Sequence, residues 1–387
     1  MGETERVRES LLPFTRPSIG DAEVAAVRET LLSGWITGGP RTAEFEEKFS
    51  ASVGATYGVA VSSATAGFHL LFRALGIGPG DEVVTPSLTW PSAVNAMEHV
   101  GARVVFADID SATLQLDVAS VRACVTERTR AIVPVHFAGQ PVDLDGFRAL
   151  AAETGAVLIE DAAHAVGTEF RGSPVGGGAS LAVFSFHAIK NLTTGEGGMI
   201  TTNDEALAAK LRRLRFHGLD QDAWSRHGGE PGTYDLVEPS GKFVLTDLQA
   251  SLGLAQLERL PGFLAARAAF AERYDDGLAE LTGLRLPQRV PYDAKHAWHL
   301  YTVLVTRGGR AAFRKELRNR NICTGLHFLP VHGLSYYRER YPDAASRLQQ
   351  TDRVGEQIVA LPLFPDMTER DVDDVIDVVC SVLAERK

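Results

Sequence analysis

Cysteine is scarce. The three thiols in 387 residues, Cys124, Cys323 and Cys380, are scattered, odd in number and without metal-ligand spacing, which excludes a disulfide framework. They are expected to be reduced core thiols with no catalytic part. Long apolar runs are also lacking, since none reaches the roughly 18–20 residues that span a bilayer. The charged opening Met1-Gly-Glu-Thr-Glu-Arg6 leads into no apolar segment of the kind that directs secretion. A soluble, cytoplasmic protein with no membrane association is the expectation. A basic block is missing too: with a formal net charge of −10, most of the surface would repel a polyanion, which argues against nucleic acid as a partner. Internal repeats and low-complexity segments are absent, and 45% apolar with 23% charged residues is ordinary globular composition. A chain this long is expected to build two domains.

What the chain does have is alternation. From residue 58 onward, short apolar strands (59–61, 82–86, 103–108, 131–135, 156–160) interleave with helical stretches. Strands this apolar indicate an α/β protein with a largely parallel sheet covered on both faces, whose ligands sit beyond the carboxyl ends of the strands. Ahead of it, residues 1–20 read as an extended arm, with Asp21 placed to cap a helix through about Leu32. The turn-rich loop 33–40 carries Trp35 among Gly and Thr and reads as a loop that meets a ligand or another subunit. Further on, the polar, glycine-rich stretch 218–241 reads as a functional or subunit-spanning loop. Thr246 or Asp247 starts a helix to about Leu260, and Pro261 opens a second one. That junction divides the chain into a large domain, 1–260 with its arm, and a small α+β domain, 261–387.

The chemistry centres on 183–199, where a β-prone run delivers Ser185 and then Lys190 before a glycine-bearing turn. Such a lysine serves either as a point charge on phosphate or as an amine that forms a Schiff base with a carbonyl. No Walker-type G-x-x-x-x-G-K-[ST] precedes it, and Gly76-Ile-Gly-Pro-Gly80 follows a helix instead of a strand, so it is only a turn. Asp161 directly follows an apolar strand and is a candidate ion-pair partner for the protonated ring nitrogen of pyridoxal phosphate (PLP). Trp90 offers a flat apolar face for that ring. The turn Ser63-Ala64-Thr65 opens a helix with small residues and, with Ser185, is suited to the phosphate.

Several motifs also carry a resemblance: Glu160-Asp-Ala-Ala-His-Ala165, Phe184-Ser-Phe-His-Ala-Ile-Lys190, Gly195-Glu-Gly-Gly198 and Val135-His-Phe-Ala-Gly139. On these the chain resembles the DegT/DnrJ/StrS sugar aminotransferases, PLP enzymes of the aspartate aminotransferase fold (fold type I), over almost its whole length. Ser33-Gly-Trp-Ile-Thr37, His296-Ala-Trp-His-Leu300 and Thr324-Gly-Leu-His-Phe328 are similar to the subgroup that aminates the 4-keto pentose of a UDP-sugar. The resemblance implies a mostly parallel seven-stranded sheet and an exchange of amine, through the pyridoxamine form, from L-glutamate to a nucleotide-linked keto sugar. A 3-keto sugar or a keto-cyclitol is the alternative acceptor, and a non-catalytic PLP-binding regulator a remote one. The resemblance places His164 beside the cofactor ring, and Trp35, Ile36, Thr37 and His327 on the sugar side. His296 and His299 have no third ligand and are not read as a metal pair. It also implies a homodimer with shared sites, in which the segment 240–247, with Lys242, reaches the neighbouring chain's phosphate pocket.

Relatives usually carry asparagine or arginine at the places matching Lys242 and Val244. Lys242 still offers a cation, but the Val244 side chain cannot donate a hydrogen bond. Looser cofactor retention follows, so Val244→Arg should slow PLP release on dialysis, measured by residual cofactor absorbance. Equal retention in both proteins would refute this reading.

Overall fold

The structure, a computed structural model, describes residues 8–178, 180–220 and 234–385, so much of the expected loop 218–241 lies outside the described residues. Among those described, no helix is long and apolar enough to cross a membrane.

Helix α1 (Asp21–Leu32) starts from Gly20, not from an Asp21 cap. Glu23 reaches back to accept the Gly20 N–H at 2.8 Å, and Asp21 sits in the first turn, where the helix dipole favours an acid. Helix α2 (Pro40–Ser52) opens on a proline, whose missing N–H is not needed there. The buried Asp247 carboxylate completes that end, accepting the Thr42 N–H at 2.9 Å and the Thr42 hydroxyl at 2.8 Å.

The alternation that follows is β1 (Tyr57–Val61), α3 (Ala64–Ala74), β2 (Glu82–Pro86), α4 (Ser92–His99), β3 (Arg103–Ala107), α5 (Val118–Cys124), β4 (Thr129–Ile132), α6 (Leu144–Thr154) and β5 (Val157–Asp161). A two-residue hairpin, β6 (Glu169–Phe170) and β7 (Ser173–Pro174), precedes β8 (Leu181–Ser185), β9 (Gly198–Thr202) and α7 (Glu205–Arg215). Seven strands form the main sheet in the order β1-β9-β8-β5-β4-β2-β3. The five from β8 to β3 run parallel, and β9 lies antiparallel to both its neighbours. The sheet is therefore mostly parallel, as the apolar strands predict. Successive strand residues face opposite ways. Val59, Val61 and Val183 pack against α3, α4 and α7, while Ala60, Ala182 and Phe184 pack against α2 and α6.

One long helix, α8 (Asp247–Leu278), follows. The two helices expected to meet at Pro261 are therefore a single element with the proline inside it. Its first half packs on α1 and α2 and its second half on the small sheet's core, so burial at both ends outweighs the helix bond that the proline removes. Thr246 caps it, paired reciprocally with Gln249. The remainder holds β10 (Leu284–Arg285), β11 (Ala294–Lys295), β12 (Tyr301–Val305), α9 (Arg310–Asn319), α10 (Ser335–Arg340), α11 (Gln349–Gln357), β13 (Ile358–Leu361) and α12 (Glu369–Ala384). Strands β10, β12 and β13 make an antiparallel sheet with its own core, in which Tyr274, Val303, Phe313 and Val375 meet. The arm joins it through a bridge from Leu12 to Ile322.

Four phenylalanines anchor β8 from below. Phe49 lies edge-on to Phe184 and to Phe186, each with ring centroids 5.0 Å away, and Phe45 meets Phe186 at 5.2 Å. All four are fully buried. Phe49→Ala should cost about 3–5 kcal/mol of stability, read from the chemical denaturation midpoint at unchanged slope.

Candidate active site

Asp161 closes β5 at the carboxyl edge of the parallel strands. Its N–H donates to the Pro134 carbonyl at 2.9 Å, and its carbonyl accepts the His136 N–H at 3.1 Å, so the backbone is held against the chain leaving β4. The side chain is 3% exposed. Burial, the largest influence, pushes its carboxyl up to about 6, while the Ala163 N–H, Lys190 and His136 pull the other way. The Ala163 bond is 3.0 Å long. Glu160 faces the opposite side of the sheet and pairs with His136 Nε2 at 3.0 Å, both fully buried. Since the Val142 N–H donates to His136 Nδ1 at 3.2 Å, the ring proton sits on Nε2 and points at Glu160.

Lys190 stands in the turn after β8, where its N–H donates to the His187 carbonyl at 2.9 Å. The residue is half-buried. Burial holds it down to about 8, with Asp161 acting in the opposite sense. His164 completes this end. Its Nδ1 accepts the Ala138 N–H at 3.3 Å, and burial, followed by the charges of Lys190 and His327, keeps the ring well below its ordinary pKa and hence neutral. The ring stacks on Phe328 at 5.6 Å and lies 4.4 Å from His299.

Across the cavity, α3 presents its amino end. Ser63 caps it by accepting the Ala66 N–H at 3.1 Å, so the Ala64 and Thr65 N–H groups are left at the positive end of the helix dipole. Gly198, at the start of β9, comes so close that a Cβ there would lie 2.7 Å from the Ala64 nitrogen, so any side chain would intrude on this end. The Ser185 oxygen accepts the His187 N–H at 3.4 Å, which leaves its own hydroxyl proton free to donate.

Nine sequence-predicted residues, Lys190, Asp161, His164, Ser185, Trp90, Ser63, Ala64, Thr65 and His327, border one cavity of about 410 Å³. Trp90 is 63% exposed at its mouth. Trp35, Ile36, Thr37 and Lys242 do not border it. Thr37 lines a separate cavity of about 480 Å³ with Val244, and Ile36 and Lys242 are exposed. Sequence reasoning passed over Thr89, Ser92, His187, Glu196 and Phe328, which also line the first cavity. His187, Glu196 and Phe328 lie inside the motifs 184–190, 195–198 and 324–328, and Thr89 and Ser92 flank Trp90, which was the available signal. Among the described residues, no group of three or more His, Cys, Asp or Glu side chains is placed to hold a metal ion.

A sequence model of the DegT/DnrJ/EryC1/StrS aminotransferase family matches residues 17–380. The chain belongs to this family. Solved structures similar to it include Spr1654 of Streptococcus pneumoniae in its PMP form, 31% identical, covering 97% of this chain and 100% of that one with a TM-score of 0.91. The PLP form of the same protein matches with a TM-score of 0.90 at the same identity and coverage. The aminotransferase TlmJ of Streptoalloteichus hindustanus is 36% identical over 97% and 99% of the two chains, TM-score 0.89. The sugar aminotransferase CalS13 of Micromonospora echinospora is 31% identical over 96% and 100%, TM-score 0.87. For this DegT/DnrJ/EryC1/StrS family member the α/β architecture is thus shared over 96–97% of the chain.

The lowered Lys190 pKa has a direct consequence in the cofactor-free protein. Reaction of its amine with trinitrobenzenesulfonate should rise through about pH 8, well below the range of a surface lysine. Because Asp161 favours the protonated amine, Asp161→Asn should move that rise to lower pH, read by peptide mass spectrometry.

Proposed function

We propose that the protein is a PLP-dependent sugar aminotransferase that moves an amine from L-glutamate to the C4 keto carbon of a nucleotide-diphosphate-linked sugar. The observation that carries the reading is one cavity with a desolvated amine, a buried carboxylate and an uncovered helix amino end at separate points. These fit, in turn, the aldehyde, the ring nitrogen and the phosphate of PLP. Relatives solved in PLP and PMP forms, and one that is a sugar aminotransferase, support it. When bound, PLP supplies the aldehyde carbon and a ring that draws off electron density.

The chain's residues do the rest. The Ala64 and Thr65 N–H groups and the Ser185 hydroxyl would hold the phosphate. The Asp161 carboxylate would keep the ring nitrogen protonated, because opposite charge favours the charged form. Trp90 and His164 would bracket the ring. Lys190 Nζ would take a proton from the donor's α-carbon and deliver one to the sugar carbon, as general base and then general acid. A neutral amine near neutral pH is what that exchange requires, and its lowered pKa moves it in that direction.

Trp35, Ile36, Thr37 and Lys242 belong, in this reading, to a homodimer with shared sites, each copy completing the other's. The C4 assignment rests on similarity to the subgroup acting on the UDP-linked 4-keto pentose, quoted above in its motifs.

Borohydride treatment of the PLP-loaded protein should leave the pyridoxyl label on the Lys190 peptide. Lys190→Ala should lower turnover by at least about a hundredfold. With the pyridoxamine form loaded, UDP-4-keto pentose or dTDP-4-keto-6-deoxyhexose should restore the PLP absorbance. Labelling of another residue, or a C3-aminated product by NMR, would overturn the respective part of the reading.

A further inference from the structure

We infer that Asn191 and His299 form a buried clamp that positions Lys190, fixing where its amine stands for proton transfer. This rests on the aminotransferase reading and assigns two residues that it does not use. Both are positioning residues, since neither borders the cavity.

Asn191 directly follows Lys190 in the turn after β8, and it is buried. Its amide is used at both ends. Nδ2 donates to the Ala297 carbonyl at 2.7 Å, which fixes the orientation of the side chain and leaves Oδ1 facing His299 Nδ1 at 3.3 Å. The ring proton of His299 therefore sits on Nδ1 and donates to Asn191. Burial first, then the nearby charge of Lys190, holds this ring well below its ordinary pKa, so it is neutral and carries that one proton. Its Nε2 is buried and has no hydrogen-bond partner among the described residues. Leaving a buried nitrogen bare is costly, and the tautomer that meets Asn191 is kept all the same.

The segment carrying Ala297 and His299 is itself firmly held. The Ala297 N–H donates to the Gly139 carbonyl and the His299 N–H to the Ala138 carbonyl, both at 2.9 Å. Ala138 is also the residue whose N–H meets His164 Nδ1. A Cβ added at Gly139 would lie 3.0 Å from the His164 carbonyl oxygen and 3.1 Å from the His299 nitrogen, so these backbones are in close contact. Ala138 and Trp298 both take left-handed backbone, with φ of 59° and 49°, a conformation that persists outside glycine only where the surroundings dictate it. The chain after β4, the chain after β5 and the entry to β12 thus meet in one junction. Asn191 bolts the Lys190 turn to it, so Lys190 and His164 share a common frame. A proton shuttle must stay within reach of the atom it serves, and Lys190 has a flexible four-carbon stem, so its turn has to be fixed from outside the cavity.

The charged or titratable groups around Lys190 are Asp161, the neutral His164, His299 and His327, and His187 with Glu196 at the rim. Titration of the cofactor-free protein and turnover of the PLP-loaded protein test the clamp together. Asn191→Ala should move the trinitrobenzenesulfonate reaction of Lys190 up by about one pH unit or more, because burial outweighs Asp161 in setting the amine and a released turn admits water. In the loaded enzyme it should lower kcat roughly tenfold or more at nearly constant KM for both substrates. Variants of His299 separate a directed bond from simple packing, and serve if Asn191→Ala does not fold. An asparagine amide reaches the place of Nδ1 and a glutamine amide that of Nε2, so His299→Asn should keep the parent titration and most of kcat, while His299→Gln should behave like Asn191→Ala. A titration within about 0.3 pH unit of the parent in both Asn191→Ala and His299→Gln would overturn the inference. Equal shifts in His299→Asn and His299→Gln would do so too, as would a lower melting temperature with kcat unchanged. Shifted titrations in the variants of a parent that aminates no keto sugar would support the clamp and overturn the sugar assignment alone.

Discussion

Asp161 and Lys190 are opposite charges withdrawn from water into one cavity, and each loses part of its hold on its charged form. The carboxyl is pushed up to about 6 and the amine held down to about 8, yet each moderates the other's shift. In the aminotransferase reading this balance is what the site needs: an amine able to shed a proton, and a carboxylate kept anionic by the cation it faces. The cost of desolvating both groups has to be met elsewhere in the fold.

It is met by the sheet and the aromatic layer beneath it. The ends of β5 and β8 are brought together by parallel pairing, Asp161 against Val183. Phe184 and Phe186 are then clamped by Phe45 and Phe49 of α2, whose own amino end is fastened to α8 by Asp247. The turn bearing Lys190 therefore rests on a dry, densely packed base. The opposite side of the cavity is built from α3, where Ser63 spends its oxygen on the cap and leaves the first two N–H groups uncommitted. A rigid base on one side and a donor-rich helix end on the other are the pre-organisation that positions a reacting group.

Much of this was legible in the residues. Apolar strands alternating with helices foretold a parallel sheet, and the lysine and aspartate stood out because both follow strands at the edge where such sheets bind ligands. The turn Ser63-Ala64-Thr65 was readable as a helix start from its place between an apolar strand and a run of small residues. Other features depend on contacts between residues far apart in the chain. The arrest that Pro261 signals locally is overridden by burial along both halves of α8, and Asp21 yields the cap position because Glu23 reaches the Gly20 N–H. Phe328 joins the lining of the Lys190 cavity only through contacts between segments far apart in the chain. Trp35 to Thr37 match family motifs, and Lys242 lies in the family-like segment 240–247 while departing from its usual residue, yet all four lie off the cavity that holds Lys190, a separation that motif reading has no means to register.

Helix α8 takes part in the packing of both sheets, and Pro261 sits in its middle without an amide hydrogen. The carbonyl of Leu257, one turn earlier, therefore finds no amide above it. A rod with one rung missing is most compliant at that rung. Any tilt of the small sheet toward the mouth of the cavity would pivot there, carrying His327 with it while leaving Asp161 and Lys190 behind on the stationary side.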